Sequence, residues 1–236
     1  MKKIMMLLIV TVMAALHAPA ERAVDFKAGS ANVKARRADL ATTKGHTWTF
    51  SETIPLIDSR APNGRIFGGL VTTWAPEKND VPLLEAGGSS HPFRVLVNSS
   101  GGAATARGMI VWVKANFSGG AELKKAGFSA GDSISAEFDL ISANSCDIRF
   151  AVKQGEVWYV TANAVAKSNG TFSVNPVTAK WRTLAPEAEY AIGGTAAAVT
   201  FDDVQAVGLY MNVRRDAANS RLVCKSFTAD VSFAEK

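Results

Sequence analysis

The pentapeptide "GFSAG", residues 127–131, is the stretch whose spacing comes nearest to a catalytic motif. It matches the G-x-S-x-G pattern of a nucleophile elbow, in which a serine attacks a carbonyl carbon with help from a histidine later in the chain. His46 and His91, the histidines beyond the first 20 residues, both precede Ser129. The residues that follow, "DSISAEF", are typical of a strand and not of a helix. We therefore interpret "GFSAG" as a turn.

Glu137 and Asp139 form a pair of carboxylates two positions apart. On one face of a strand their backbone positions would be about 6–7 Å apart, which suits the two carboxylates of glycoside hydrolysis. Arg149, on the next predicted strand, offers a simpler partner, because exposed carboxylates and guanidinium groups commonly form surface ion pairs. We expect an ion pair here and no catalytic residues.

The metal-binding residue types are scattered. His46, His91, Cys146 and Cys224 show none of the short ligand spacings of zinc sites. Calcium prefers carboxylate oxygens, and three aspartates lie near predicted strand ends: Asp202, Asp203 and Asp230. They lack the regular spacing of the acids in a calcium-binding loop. We expect no cofactor, with a structural calcium as the remaining alternative.

Cys146 and Cys224 are the two cysteines of the chain. In an oxidising compartment they would be able to form a disulfide, worth on the order of 4 kcal/mol in the chain-entropy model for a loop of this length. Each also lies in a strand-like run, "SCDIRFAV" or "RLVCKSF", where a buried free thiol is equally compatible with the sequence. The sequence leaves both alternatives open.

The elements that must position these residues are strands. About ten short runs rich in β-branched and aromatic residues follow one another from Thr47 onward, separated by turn sequences such as "APNG", "KQGE", "KSNG" and "SAGD". The stretch "AELKKAG" is the one helical turn that the pattern predicts. We therefore predict an all-β fold, a two-sheet antiparallel β-sandwich that is jelly-roll-like and has about ten strands.

Alternation along the later runs assigns side chains to faces. Apolar residues occupy every second position in "SISAEFDLIS", "CDIRFAV" and "QAVGLYMNV", and they should face the core. The residues between them then lie on an outward face. In "EVWYV", Trp158 and Tyr159 must point to opposite sides, and we expect Trp158 to be buried and Tyr159 to face outward, because a phenol tolerates water.

The outward residues are of the types that recognise sugars. A sugar presents apolar C–H faces and a rim of hydroxyl groups, so it requires aromatic rings beside planar polar groups. Trp74, in the polar loop "TTWAPEKND", adds an outlying aromatic platform. The predicted ligand-binding residues are Tyr159, Tyr210, Asn212, Arg149, Glu137, Asp139 and Trp74.

The N-terminal residues predict export. Lys2 and Lys3 precede thirteen apolar or small residues, 4–16, and the small-residue site "APA" follows at residues 18–20. We expect a signal peptide over residues 1–20 with cleavage after Ala20, and a secreted protein in the periplasm or outside the cell. A buried N-terminal helix is the alternative. No apolar run approaches the roughly 20 residues of a membrane-spanning helix, so no membrane span is expected.

The charge of the remaining chain is weakly basic. Without residues 1–20 it has 24 basic and 21 acidic residues, a net charge of +3, which does not provide the basic field that nucleic-acid binding needs. Residues 21–45 are rich in Ala, Lys, Arg and Thr, and we interpret them as an N-terminal extension or linker with one short strand at 23–27. Residues 46–236 are long enough for one β-sandwich domain. The sequence does not specify the oligomeric state.

The C-terminal part, residues 130–233, resembles a known kind of module. The runs "DIRFAVKQGEVWYV", "WRTL", "FDDVQAVGLYMN" and "SRLVCKSFTADVSF" resemble the jelly-roll modules of secreted bacterial proteins and, more loosely, carbohydrate-binding modules of that fold. The resemblance implies binding of a polysaccharide or cell-surface glycan without catalysis. Cys224 and Lys225 stand where an acidic residue often precedes the phenylalanine of the final strand in such modules, which argues against a calcium ion there.

The resulting hypothesis is a secreted, non-catalytic carbohydrate-binding module that uses an outer sheet face. A second hypothesis is an envelope or matrix protein in which the sandwich serves packing or self-association, with residues 21–45 as an adhesion arm or donor strand. A third, less favoured one is a polysaccharide lyase or glycoside hydrolase with an unfamiliar site.

Overall fold

The chain is an all-β sandwich of two antiparallel sheets, as the sequence predicts. The structure is a computed structural model. It describes residues 21–27, 54–57, 65–72, 82–87, 91–97, 105–114, 117, 125–141, 145–165, 168–188, 190–214 and 220–234. Within these ranges it has fifteen strands where about ten were expected.

The strands are numbered in chain order. They are β1 Glu21–Lys27, β2 Ile54–Ile57, β3 Arg65–Thr72, β4 Pro82–Gly87, β5 His91–Val97, β6 Thr105–Val113, β7 Lys125–Gly127, β8 Ile134–Ile141, β9 Ser145–Gln154, β10 Val157–Thr161, β11 Gly170–Val174, β12 Trp181–Ala185, β13 Ala191–Ala197, β14 Val204–Arg214 and β15 Ser220–Ala234. A short 3-10 helix, Pro186–Ala188, follows β12.

Two sheets contain all of these strands. Sheet A has the order β11-β8-β15-β5-β4, with β1 and β7 also paired to β15. Sheet B has the order β13-β12-β10-β9-β14-β6-β3-β2. Consecutive β8 and β9 therefore lie in different sheets, which decides where the candidate residues on these strands are placed.

Three local predictions differ from the structure. The predicted single run "GTFSVNPVTAKWRTL" is two strands, β11 in sheet A and β12 in sheet B. The strands β4 and β13 were not expected, since "PLLEAG" begins with proline and "AIGGTAA" contains two adjacent glycines. The prediction of a helical turn at "AELKKAG" is wrong for its last three residues, which form β7 and pair with β15.

The hairpin between β9 and β10 shows how a turn sequence sets the register. Gln154 and Val157 are partners across a two-residue connection, Gly155-Glu156. Gly155 has a φ of 55°, a conformation that glycine adopts without the steric cost that other residues incur. This turn places Trp158 opposite Lys153 and fixes which residues of β10 face each side of sheet B.

The main core lies between the two sheets. Trp112 of β6 in sheet B stacks on Phe227 of β15 in sheet A, with ring centroids 4.2 Å apart and planes 3° apart. Both side chains are fully buried. The inward residues of β9 are Ile148, Phe150 and Val152, as alternation predicts. The stacked pair joins the two sheets at the centre of the sandwich.

Strand β1 belongs to the sandwich although it comes from the predicted extension. It pairs with β15 from Glu21 opposite Val231 to Lys27 opposite Ser226. A bulge between Arg22 and Val24 lets both Ala23 and Val24 enter the main core. The predicted strand at residues 23–27 is thus present and is two residues longer.

Asp132, in the turn between β7 and β8, is a buried carboxylate with a structural role. Its Oδ2 accepts hydrogen bonds from Ser129 N at 2.7 Å and from Ser232 Oγ at 3.0 Å. It therefore fixes the "GFSAG" turn against β15, which supports the interpretation of that pentapeptide as a turn.

We expect Asp132→Ala to lower the free energy of unfolding by about 1–3 kcal/mol, because the partly buried Ser129 N–H and Ser232 hydroxyl lose their acceptor. Urea denaturation followed by tryptophan fluorescence measures the change. Glu156→Ala is the matched control, because the Glu156 side chain is 94% exposed and its replacement should change stability by less than about 0.5 kcal/mol. Equal midpoints for the two variants would contradict the role of Asp132.

Candidate functional site

The outer face of sheet B, the side turned away from sheet A, carries a second apolar cluster. Tyr190, which follows the 3-10 helix, packs over this face. Sheet B is therefore covered on both sides over this region and does not present the hydrophilic outer face that alternation predicted. The buried members of the second cluster are Met109, Val111, Ala151, Trp158, Val160, Leu184, Tyr190, Ala206 and Tyr210.

Polar side chains lie at the side of this apolar cluster. Arg149 of β9 stands opposite Tyr210 of β14, and Asp147 stands opposite Asn212. The rings of Tyr190 and Tyr210 have centroids 6.2 Å apart. We call these five residues, Asp147, Arg149, Tyr190, Tyr210 and Asn212, the polar cluster.

Arg149 is the most extensively bonded member of the polar cluster. Its Nη2 donates to Asp147 Oδ2 at 2.8 Å. Its Nη1 donates to the backbone carbonyls of Thr161 at 2.8 Å and of Ala162 at 2.6 Å. The guanidinium side chain is 14% exposed and the Asp147 side chain 32% exposed, so the ion pair is largely withdrawn from water but reachable at its rim. Arg149 thereby ties β9 to the end of β10.

Four buried atoms of the polar cluster have no hydrogen-bond partner within the part of the chain that the structure describes. They are Asp147 Oδ1, Arg149 Nε, Tyr190 Oη and Asn212 Oδ1. A buried polar atom left unpaired costs about 1–3 kcal/mol, so such atoms are rare in native proteins. The set contains two acceptors, one donor and one hydroxyl that does both. These atom types are the ones that pair with hydroxyl groups in proteins.

Tyr190 is held in an unusual conformation. Its φ of 59° lies in the left-handed region. Within the described ranges, Tyr190 is the one non-glycine residue with a positive φ. For a residue with a bulky side chain this conformation costs on the order of 1–3 kcal/mol. Burial, and to a smaller extent the neighbouring Tyr210, raise the pKa of the Tyr190 phenol well above its ordinary value. The fold thus keeps a neutral hydroxyl over the outer face of sheet B.

The structure corrects the predicted exposure of two tyrosines, Tyr210 and Tyr159. Tyr210 lies on the outer face of sheet B but is only 2% exposed, so the expectation of an exposed platform is wrong. Tyr159 points inward and packs edge-on against Phe201 of the main core, so the prediction that it faces outward is also wrong. Trp158 is buried as expected, but in the cluster on the outer face. The cause is that apolar residues cover both faces of sheet B.

Glu137 and Asp139 do not belong to this face. They lie on β8 in sheet A, and both pair with Lys225, at 3.7 and 3.4 Å. Asn169 also donates to Asp139 Oδ1 at 2.8 Å. The expected ion pair with Arg149 is wrong, because β8 and β9 are in different sheets. The predicted ligand-binding face is therefore two surfaces on opposite sides of the sandwich.

The other residues that the sequence analysis singled out for ligand or metal binding lie apart from the polar cluster or outside the described residues. Trp74, His46 and the other residues of their loops lie outside the described residues. Asp203 is 4.0 Å from Lys114 and accepts from Gln205 Nε2, while Asp230 pairs with Arg22 and accepts from Ser133 Oγ. Over the described ranges, no group of three or more metal-binding side chains is close enough to hold a metal ion.

Cys224 is a free, buried thiol in the structure, so the free-thiol alternative applies to Cys224, while the side chain of Cys146 lies outside the description. The Sγ of Cys224 donates to the carbonyl of Ser226 at 3.3 Å. Burial raises the pKa of the Cys224 thiol well above its ordinary value. The thiol is therefore neutral and shielded from alkylating reagents in the folded protein.

The raised pKa values of Cys224 and Tyr190 predict a loss of stability in alkali. The unfolded chain releases these protons above their ordinary pKa values of 9.0 and 10.0, while the folded chain keeps them. Stability is therefore complete below pH 9 and falls as the pH rises, by about 1 kcal/mol between pH 9 and 10 for Cys224 alone. Urea denaturation at each pH measures this fall.

Two variants separate the contributions to this alkaline effect. Cys224→Ala should remove the part that begins near pH 9, and Tyr190→Phe should remove the part that begins near pH 10. If both variants lost stability with pH as steeply as the original protein, other groups would be responsible.

Sequence reasoning missed Asp147 and Tyr190. Asp147 shares the outer face with Arg149 two residues away, and that spacing was sufficient to include it. Tyr190 stands in "APEAEYAIGG", outside any recognised strand, and nothing in the sequence indicates that it returns over sheet B. The near-continuous apolar run "GMIVWV" of β6 was the available signal that both faces of sheet B are covered.

A scan against models of protein families and a search of curated proteins found no match to this chain. No helix in the described part of the chain is long and apolar enough to cross a membrane. The functional interpretation therefore depends on the polar cluster itself.

Proposed function

We propose that this protein is a non-catalytic carbohydrate-binding module whose ligand contacts the polar cluster at the outer face of sheet B. The observation that supports the proposal is the set of four buried atoms in the polar cluster that have no partner among the described residues. Hydroxyl groups both donate and accept, so neighbouring hydroxyls of one sugar are able to pair with a carboxylate oxygen, an amide oxygen and a guanidinium N–H.

The contact in this proposal is polar and not a stacking platform. Tyr190 and Tyr210 are almost completely buried, whereas Asp147 and Asn212 are partly exposed. The sugar would approach the edge of the cluster with its hydroxyl rim and pair with the Tyr190 hydroxyl as well, while Tyr210 would support the polar groups from beneath. Glu137 and Asp139, on the opposite side of the sandwich, have no part in this contact.

Two variants test the site without removing an interaction that supports the fold. Tyr190→Phe and Asn212→Leu each delete an atom that has no partner in the described structure, so stability should stay the same or rise slightly. If a sugar pairs with these atoms, each variant should bind it about five- to ten-fold more weakly. Affinity electrophoresis in gels that contain a panel of polysaccharides measures the binding.

A matched control lies on the other outer face. The double variant Glu137→Gln with Asp139→Asn changes the charges that Lys225 contacts and should leave retardation in the gels unchanged. Loss of binding in this control and not in the sheet B variants would move the site to sheet A. Absence of retardation by every polysaccharide would overturn the proposed function.

A further inference from the structure

The N-terminal strand β1 closes a half-open edge of β15. On one side β15 pairs with β8 from Arg221 to Ala229. On the other side it pairs with β5 only from Ser220 to Cys224, and β1 then continues the pairing from Ser226 to Val231. Without β1 the backbone groups of this second half would face no strand within the described structure. The edge is therefore a slot that accepts one short antiparallel strand.

The described side chains of β1, at positions 22–24, contact the sandwich in this slot. Ala23 and Val24 are buried in the main core, 1% and 4% exposed. Arg22, whose side chain is half exposed, pairs with Asp230. Any copy of the same strand would supply these contacts, and the backbone hydrogen bonds of β1, equally well.

The chain between β1 and the next described strand is long. Residues 28–53 separate Lys27 from β2, a stretch of 26 residues. Fully extended, a stretch of this length spans up to about 90 Å. Sequence distance therefore does not restrict β1 to the slot of its own chain.

We propose that β1 exchanges between copies of this chain, so that Glu21–Lys27 of one copy adds to β15 of another. The partner is a second copy because its β1 has the same register, the same two apolar side chains and the same arginine that this slot already accepts. Reciprocal exchange gives a closed dimer, and one-way exchange gives a longer chain of subunits. This inference is independent of the sugar site, which lies on the other sheet.

Cross-linking between two full-length variants tests the exchange. One chain carries Arg22→Cys and the other Asp230→Cys, since these two positions are opposite each other in the β1 and β15 register. The two chains are expressed together with different tags and oxidised. Exchange predicts a heterodimer that disappears on reduction, because cross-strand partners of this kind lie within disulfide reach.

Two controls make the result decisive. A single chain with both substitutions should form the disulfide internally, which verifies the register. Arg22→Cys expressed with Ser135→Cys should not cross-link, because Ser135 lies on β8 on the far side of β15.

The proposal is overturned if the mixed chains stay monomeric while the single-chain control closes its disulfide. It is also overturned if the Ser135 control cross-links equally, which would indicate random collision, or if the single-chain control fails, which would contradict the pairing of β1 with β15.

Discussion

Replacement of Phe227 by alanine is expected to lower the free energy of unfolding by about 3–5 kcal/mol, the usual cost of removing a fully buried aromatic side chain. Phe227 of sheet A joins the two sheets, because its ring stacks on Trp112 at 4.2 Å and lies 6.4 Å from the ring of Phe150, both in sheet B. Its loss would open a cavity between the sheets that the strands cannot close without moving.

Urea denaturation, followed by the fluorescence of Trp112 and the other tryptophans, measures this change. Val177→Ala is the control, because Val177 is 41% exposed and its truncation should cost less than about 0.5 kcal/mol. A loss below 1 kcal/mol for Phe227→Ala would show that the stacked pair does not hold the two sheets together.

The fold class was predictable because it depends on side-chain periodicity. Ile148, Phe150 and Val152 alternate with polar residues, and the structure places all three in the main core. Turn chemistry at Gly155 also gave the β9–β10 hairpin correctly. These features are local, so a single sequence contains them.

The distribution of strands between the sheets was not predictable in the same way. Arg149 and Glu137 were both correctly placed away from the main core, but alternation gives only the side of a strand and not the sheet to which it belongs. The segment 142–144 connects β8 of sheet A to β9 of sheet B. That crossing separates the two residues by the thickness of the sandwich.

The candidate site was predictable in part, because alternation along a strand gives the side on which each residue lies. Arg149, Tyr210 and Asn212 are on one face, as their positions in β9 and β14 indicated. Tyr159 was wrongly assigned because its neighbour Trp158 is buried on the opposite side of the sheet. With both faces of sheet B apolar here, burial of one residue no longer implies exposure of the next.

Arg149→Met is expected to lower the free energy of unfolding by about 2–4 kcal/mol. The methionine keeps much of the side-chain volume but leaves Asp147 without its cation and the carbonyls of Thr161 and Ala162 without a donor. Breaking a fully buried ion pair costs about 3–5 kcal/mol, and we lower the range because the Asp147 side chain is 32% exposed. Urea denaturation near neutral pH measures the loss.

The double variant Arg149→Met with Asp147→Leu shows how much of the lost free energy of unfolding comes from the ion pair. Part of the stability should return, because an apolar pair of similar size does not leave a carboxylate without its cation. A coupling energy of about 1–3 kcal/mol is expected from the double-mutant cycle, and a value near zero would contradict the Arg149–Asp147 contact.

The atoms of Arg149 that stabilise the fold are Nη1 and Nη2, whereas its Nε is unpaired among the described residues. The polar cluster therefore has one set of atoms that holds β9 to β10 and another that is unpaired within the described residues, and Tyr190→Phe and Asn212→Leu change only the second set.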